Sequence, residues 1–310
     1  MKDSKKAIAS QQRARNKKTE SRAKVKSKAF AKAEETRPKR KKTKRDIDEG
    51  FSIGTPEGET TQRSTEKVEK AYKLLAVQEG LSNSQAKDLI DRGLVYVANR
   101  KVKVARGELP VKTSFNVQKV DKAVVIFQDD DLIVVDKPPF INSDEIEKQF
   151  KGAQLLHRLD RETSGVLILV KNEEYRFKAI GEFKRKRVYK EYTAWVEGMF
   201  IDPEFIDKAI LTEKRKNKAY SKISPQGKPA HTEVTPMEVV GKYSKVKVVI
   251  QEGRTHQIRV HLRSIGYPIV GDEQYGGRNY KRVMLHARKV ELLGHTFEVK
   301  EPKAFAHFSS

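Results

Sequence analysis

One acidic side chain in this sequence stands where it could do chemistry. Asp160 lies in HRLDRETSG, between an apolar pair at 155–156 and an apolar run at 165–170. A carboxylate at the end of a buried strand is fixed in position, and neighbouring Arg158 and Arg161 favour its ionised form. An Asp before Thr-Ser-Gly is more often a turn or capping residue than a nucleophile, so this pattern alone leaves its role open.

Other segments combine apolar strand-like runs with polar residues in the same way. They are DLIVVDKPPF, VYKEYTAWVEG, EGRTHQIRVHLRSIGYPIVGDEQYGG and MLHARKVEL, at 131–140, 188–198, 252–277 and 284–292. Together with HRLDRETSG they resemble, in the same order, the motifs of the RluA family of RNA pseudouridine synthases. The resemblance covers nearly all of 121–310. Pro139-Phe140 stands where the family usually has x-Gly.

The resemblance implies an isomerase that converts chosen uridines in RNA to pseudouridine, with no cofactor and no metal. The reaction breaks the N-glycosidic bond, turns the base over and rejoins C5 to C1′. Asp160 would be the essential carboxylate. It would attack ribose C1′ or uracil C6, or stabilise cationic character at C1′ while removing a sugar proton, and the sequence leaves these routes open. Each route needs an ionised carboxylate beside a base held out of its stack.

The resemblance also assigns roles to other residues. Tyr192 would stack on the flipped uracil and take part in late deprotonation at C5, and Arg254 would pair with Asp160. Leu285 would form an apolar wall of the uracil pocket. The substrate-binding candidates are His157, Arg158, Leu285, Arg259 and His261. Without the resemblance, Tyr192 reads as a cross-strand core tyrosine, Arg254 as a surface arginine after a turn and Leu285 as a core leucine.

The pattern of residues 68–120 predicts a small α/β module. One face of a first helix is marked by Val68, Ala71, Tyr72 and Leu75. A second helix begins with a capping box of Ser82 and Gln85. A hairpin follows, with its turn near 99–100. The module resembles the S4 RNA-binding domain, and the alternative is an unrelated helical connector. Its RNA-binding candidates are Lys87, Arg92, Lys101, Lys103 and Arg106.

The charge of the chain indicates a polyanion as partner. Lys and Arg number 65 against 42 Asp and Glu, a formal charge of +23. Residues 1–45 hold 19 of the basic side chains with few large apolar ones, which predicts a disordered basic tail. Residues 46–67 are acidic and rich in Gly, Ser and Thr, which predicts a linker. Such a surplus favours nucleic acid over a membrane.

The composition also excludes several classes of protein. With no cysteine, the chain has no disulfide, thiolate metal site or cysteine nucleophile. There is no apolar run long enough to span a bilayer, no secretory signal pattern and no Walker or Rossmann glycine pattern for a nucleotide cofactor. We expect a cytoplasmic monomer. His256 and His261 are five apart without a nearby carboxylate pattern, so we expect no zinc site.

The predicted fold is α+β. A catalytic domain at 121–310, built on a largely antiparallel mixed sheet, follows the S4-like domain at 68–120 and the tail and linker at 1–67. The predicted function is isomerisation of uridines in RNA, with large-subunit ribosomal RNA favoured. The alternatives are a transfer-RNA synthase of the same family and a non-catalytic RNA-binding ribosome-assembly factor.

Overall fold

The computed structural model describes residues 67–98, 100–215 and 218–306. The predicted tail and linker therefore lie outside the described residues, except for Lys67. Within the described part of the chain, no helix is long and apolar enough to cross a membrane.

Residues 67–117, called the small module below, contain two helices and short strands. The helices are α1 (Ala71–Glu79) and α2 (Asn83–Asp91), and the strands are β1 (Val68–Lys70), β2 (Val95–Val97), β3 (Arg100–Lys101), β4 (Glu108–Pro110) and β5 (Asn116–Val117). The first helix starts at Ala71 and not at Val68, because Val68–Lys70 pair antiparallel with β4. The backbone groups of Val68–Lys70, which the helical spacing places in a first helical turn, therefore form a strand instead.

The predicted start of the second helix is confirmed. The Ser82 hydroxyl accepts a hydrogen bond from the backbone N–H of Gln85, and the Gln85 side chain accepts one from the N–H of Ser82. Such a cap contributes about 1 kcal/mol to helix stability. The two helices and β2 enclose a small core that includes Leu75 and Ile90.

Residues 124–306, called the sheet domain below, are built on one ten-stranded sheet. Its strands are β6 (Val124–Gln128), β7 (Leu132–Lys137), β8 (Gln154–Leu155), β9 (Ser164–Val170), β10 (Tyr189–Glu197), β11 (Glu204–Asp207), β14 (His231–Val240), β15 (Tyr243–Ile250), β16 (Leu285–Leu292) and β17 (His295–Glu298). The main order is β11-β14-β15-β10-β16-β9-β7-β6. The pairings in this sheet are antiparallel except that of β9 with β16, as the mixed-sheet prediction requires.

The helices of the sheet domain lie between its strands in sequence except the last, which follows β17, and a separate hairpin follows β11. The helices are α3 (Ser143–Glu147), α4 (Glu173–Lys184), α5 (Gln257–Ser264), a 3₁₀ turn (Glu273–Tyr275) and α6 (Lys303–Ala306). The hairpin consists of β12 (Ile210–Arg215) and β13 (Lys218–Ile223). The predicted boundary at 120–121 falls between β5 and β6.

Strand β9 is buried on both faces of the sheet. Because side chains alternate along a strand, Leu167 and Leu169 join one apolar cluster, whereas Val166 and Ile168 join another. Helices α3 and α5 cover the first face through Ile146, Ile258 and Leu262, and α4 covers the second through Ala179. The segment that carries Asp160 leads directly into β9, so a rigid central strand anchors it.

Gly165 allows β9 and β16 to approach closely just after that segment. Its φ is +116°, and a Cβ at this position would lie 2.1 Å from the carbonyl oxygen of Ala287. Gly165 and Ala287 are paired residues in the parallel register of β9 and β16. Only glycine combines this backbone conformation with this contact.

Candidate active site

The backbone on both sides of Asp160 is held by residues 137–143. The Ser143 hydroxyl accepts a hydrogen bond from the N–H of Leu159 at 3.0 Å and donates one to its carbonyl at 3.1 Å. The carbonyl of Arg161 accepts from the N–H of Phe140 at 2.7 Å and from the Lys137 ammonium at 3.3 Å. Asp160 is thus fixed by bonds to its two neighbours.

The Asp160 carboxylate is paired with a buried arginine. The distance from Arg259 Nη1 to Asp160 Oδ2 is 3.2 Å, and the Arg259 side chain is 4% exposed. Arg259 also donates two hydrogen bonds to Asp272, at 2.7 and 2.8 Å, with Nε and Nη2. Burial alone would lower the pKa of Arg259, but Asp272, followed by Asp160 and Glu162, outweighs burial and raises it. A fixed, permanently charged guanidinium therefore orients the carboxylate.

The predicted pairing of Arg254 with Asp160 is wrong. Arg254 Nε donates to the carbonyl of Pro229 at 3.1 Å, and its backbone N–H donates to the Gln257 side chain. Arg254 stands before α5, whereas Arg259 lies within α5 and faces Asp160. The helix, not the preceding loop, brings its arginine to the carboxylate.

Tyr192, which lies near Asp160, shares one apolar cluster with Leu285. Across β10 and β16, Tyr192 lies opposite Ala287 and Ala194 opposite Leu285, so Tyr192 and Leu285 are diagonal neighbours on one face. Both side chains are buried in the cluster that also contains Leu159. Burial, and after it the charge of Asp160, raises the pKa of the Tyr192 hydroxyl, which stays protonated at neutral pH.

His256 also faces Asp160, although the sequence analysis gave it no role. Its Nε2 lies 3.9 Å from Asp160 Oδ2, and its Nδ1 lies 2.8 Å from the Tyr275 hydroxyl. The Tyr275 oxygen accepts from the N–H of Ser221, so its own proton is free to be donated to Nδ1. When Tyr275 donates to Nδ1, neutral His256 carries its proton on Nε2, toward Asp160.

Four other residues singled out in the sequence make contacts within the protein. Arg158 pairs with Asp144 at 2.8 Å, and Arg161 pairs with Glu162 at 3.1 Å, so neither is the cation that binds Asp160. His157 accepts a hydrogen bond from the N–H of Ile168 and stacks on Phe183, and His261 bonds to Thr232 and to the carbonyl of Lys208. His261 is fully buried.

Comparison with known proteins places this site in a family. A family model described as RNA pseudouridylate synthase matches residues 131–264. A Helicobacter pylori protein named as an uncharacterized RNA pseudouridine synthase is 52% identical over 77% of this chain and 99% of its own length. The chain belongs to the RluA-type RNA pseudouridine synthases.

More distant relatives and a solved structure agree with the assignment. A Haemophilus influenzae protein named ribosomal large subunit pseudouridine synthase D is 26% identical over 68% of this chain and 79% of its own. The structure titled human RNA pseudouridylate synthase domain containing 1 is 30% identical, with a TM-score of 0.51, and covers 59% of this chain and 84% of its own. The chain is thus an RNA-modifying isomerase.

Two basic residues of the small module contact the sheet domain of this pseudouridine synthase. Arg92 donates to the carbonyl of Phe140, Lys103 pairs with Glu273, and Lys87 lies 4.2 Å from the ring centroid of Tyr72. Lys101 is half-buried, and burial lowers its pKa. Arg106 is exposed. Two of the five predicted RNA-binding residues therefore join the module to the sheet domain.

Residues that the sequence patterns did not single out hold Asp160 and Arg259 in place. Asp272 orients Arg259 from GDEQYGG, and Ser143 and Lys137 hold the backbone around Asp160. For Asp272 and Lys137 the signal in the sequence is a polar residue inside a segment that matches a motif, whereas Ser143 lies outside these segments. Among the described residues, no group of three or more His, Asp or Glu side chains could hold a metal ion.

Proposed function

We propose that this pseudouridine synthase isomerises uridines of large-subunit ribosomal RNA, with Asp160 as its essential carboxylate. The observation that carries the proposal is the pairing of Asp160 with buried Arg259 beside Tyr192 and Leu285. The arrangement supplies one oriented carboxylate next to an apolar and aromatic wall of the kind that receives a flipped base.

In this proposal each residue has one task. The target uridine leaves its stack, the Tyr192 ring stacks on the uracil, and Leu285 packs against it. The Asp160 carboxylate then acts at C1′ or C6 of the nucleotide, or on a sugar proton, while Arg259 keeps it aimed. The bond from C1′ to N1 breaks, a bond from C1′ to C5 forms, the C5 proton leaves and N1 gains a proton. The reaction is an isomerisation, so its balance needs no redox partner.

The choice of ribosomal RNA is supported by relatives. The Haemophilus influenzae relative bears the name of a ribosomal large subunit synthase, whereas the 52% identical relative is named only as an RNA pseudouridine synthase. Transfer RNA is the alternative substrate, and the experiment below distinguishes the two.

We also propose that the small module acts as an S4-like RNA-binding domain. Two helices and a small sheet in the predicted order support this assignment. Arg106 is exposed, and Lys87, Lys101 and Lys103 belong to the same module. Phosphate contacts from such cations would add salt-dependent affinity.

The test is pseudouridine mapping of total RNA from cells that lack the gene, rescued with wild type, Asp160→Ala or Asp202→Ala. Asp202 is exposed on the surface, so its variant controls for the loss of one carboxylate. We expect a site in large-subunit ribosomal RNA to be restored by wild type and Asp202→Ala but not by Asp160→Ala. A restored site in transfer RNA would overturn the substrate assignment, and restoration by Asp160→Ala would overturn the catalytic one. If no site depended on the gene, the assembly-factor alternative would replace both.

A further inference from the structure

We infer that Arg92 of the small module is a positioning residue for the catalytic loop. It reaches across to the segment that holds Asp160, and so it couples the small module to the rate of the chemical step. This inference rests on the proposed role of Asp160.

The first link is the bond between Arg92 and Phe140. Arg92 Nε and Nη2 both donate to the Phe140 carbonyl, at 3.0 and 2.8 Å, and Nη2 lies 3.6 Å from Glu145 at the beginning of α3. Asp88 in α2 accepts from Nη1 and orients the guanidinium. Only 16% of the Arg92 side chain is exposed. All three nitrogens of the guanidinium are therefore occupied within the protein.

The second link is the conformation of Phe140. Its φ is +69°, in the left-handed region that glycine adopts freely and a bulky side chain adopts at a cost. The surroundings must stabilise such a conformation, and two bonds do so: the Phe140 carbonyl accepts from Arg92, and the Phe140 N–H donates to the carbonyl of Arg161. Arg161 directly follows Asp160.

The third link returns to the small module. Arg161 Nη2 donates to the carbonyl of Asp91 at 3.3 Å, one residue before Arg92. The bonds thus form a closed circuit through residues 91–92, Phe140 and Arg161. A cavity of about 220 Å³ lies beside this circuit, lined by residues of the module and of the sheet domain. Here the small module is connected to Phe140 and Arg161 by hydrogen bonds rather than by apolar packing.

A positioning role for Arg92 and a role in RNA binding predict different effects of its removal. A residue that binds phosphate should change the dissociation constant and its salt dependence when it is removed. A residue that holds the Asp160 loop should change the rate at saturating protein, because small displacements of a catalytic group lower the rate strongly. The partners of Arg92 inside the protein favour the second behaviour.

The experiment measures single-turnover tritium release from RNA labelled with [5-³H]uridine and extracted from cells lacking the gene. Full-length wild type, Arg92→Ala, Arg92→Lys and Lys73→Ala are compared at saturating protein. Rates are normalised to the folded fraction from circular dichroism, and RNA affinity is measured at several salt concentrations. Lys73 is the matched control, because its ammonium pairs with Glu69 inside the small module.

We expect Arg92→Ala to lower the rate at saturation at least about tenfold and to leave the dissociation constant within about twofold. Arg92→Lys, with a single ammonium in place of the two-nitrogen contact, should recover part of the rate, and Lys73→Ala should match wild type. An unchanged rate for Arg92→Ala, or a loss confined to affinity and its salt slope, would overturn the inference. Asp160→Ala in the same assay keeps the two claims apart: turnover by that variant would refute the role of Asp160 whatever Arg92 does.

Discussion

Arg259 is buried because carboxylates surround it. Asp272 accepts two of its hydrogen bonds, Asp160 accepts a third, and its guanidinium lies 5.0 Å from the ring centroid of Tyr275. Six consecutive residues of α5, from Gln257 to Leu262, are buried. No periodic pattern in the sequence can indicate which of them faces the site, since both sides of the helix are packed. The pairing of Arg254 with Asp160 is implied by the family resemblance alone, and no pattern of residues favours Arg259 in its place.

The two arginines can be distinguished by substitution. We predict that Arg259→Lys, which keeps the charge but loses the forked contact, lowers the rate of pseudouridine formation at least about tenfold. Arg254→Lys should stay within about threefold of wild type, because the described contacts of Arg254 are with the carbonyl of Pro229 and with Gln257. Single-turnover rates with the same RNA provide the comparison. Equal losses in the two variants would contradict the assignment.

At the scale of elements, the close pairing of β9 and β16 brings the walls of the site together. Gly165→Ala places a methyl group against the Ala287 carbonyl at a positive φ, so we expect the free energy of unfolding to fall by about 3 kcal/mol. Gly152→Ala is the matched control: its φ is +80°, but no atom lies within 4 Å of the added Cβ. Gly152→Ala should lower the free energy of unfolding by about 1 kcal/mol. Urea denaturation measures both, and equal losses would show that the contact with β16 does not matter.

Glu252, at the end of β15, connects this strand to the start of β14. Its carboxylate accepts from the N–H and Nδ1 of His231 and from the Lys186 ammonium. Burial alone would raise the pKa of Glu252, but the hydrogen bonds from Lys186 and His231 outweigh burial and lower the pKa to about 2. Because the ordinary value is 4.5, the unfolded chain binds the proton first as the pH falls.

The stabilisation from Glu252 is therefore complete above about pH 4.5 and is lost between pH 4.5 and 2. We predict that Glu252→Gln lowers the urea midpoint at pH 7, and that the difference from wild type shrinks as the pH falls toward 3. A difference that stays constant between pH 7 and 3 would show that the carboxylate charge contributes nothing.

Secondary-structure elements can be predicted from the sequence more fully than contacts between distant residues. The apolar runs of β7, β9, β10 and β15 and the capping box of α2 are local patterns, and the structure has each of them. The apolar pair at 155–156 contributes only to the two-residue strand β8 (Gln154–Leu155), and backbone groups of Leu159 bond to Ser143. Contacts such as that of Arg92 with Phe140 join residues 48 positions apart, and only the folded arrangement determines them.

At the scale of the whole molecule, the net positive charge is concentrated in a segment of the sequence apart from the residues of the proposed site. Residues 1–45 carry 19 Lys and Arg against 4 Asp and Glu. We predict that removing residues 1–67 weakens RNA binding and flattens the dependence of log affinity on log salt, while the modified uridine stays the same. Filter binding at several salt concentrations and pseudouridine mapping test the two parts. A change in the modified site would show that the tail selects the substrate.

The central claim is that the Asp160 carboxylate performs the isomerisation. The most direct measurement is tritium release from [5-³H]uridine-labelled RNA by purified full-length Asp160→Asn and wild type, with RNA affinity measured in parallel. Asn keeps the size of the side chain and an oxygen for Arg259 but removes the charge. We predict no release above background and an affinity within a few-fold of wild type. Release by Asp160→Asn at a rate near wild type would contradict the account.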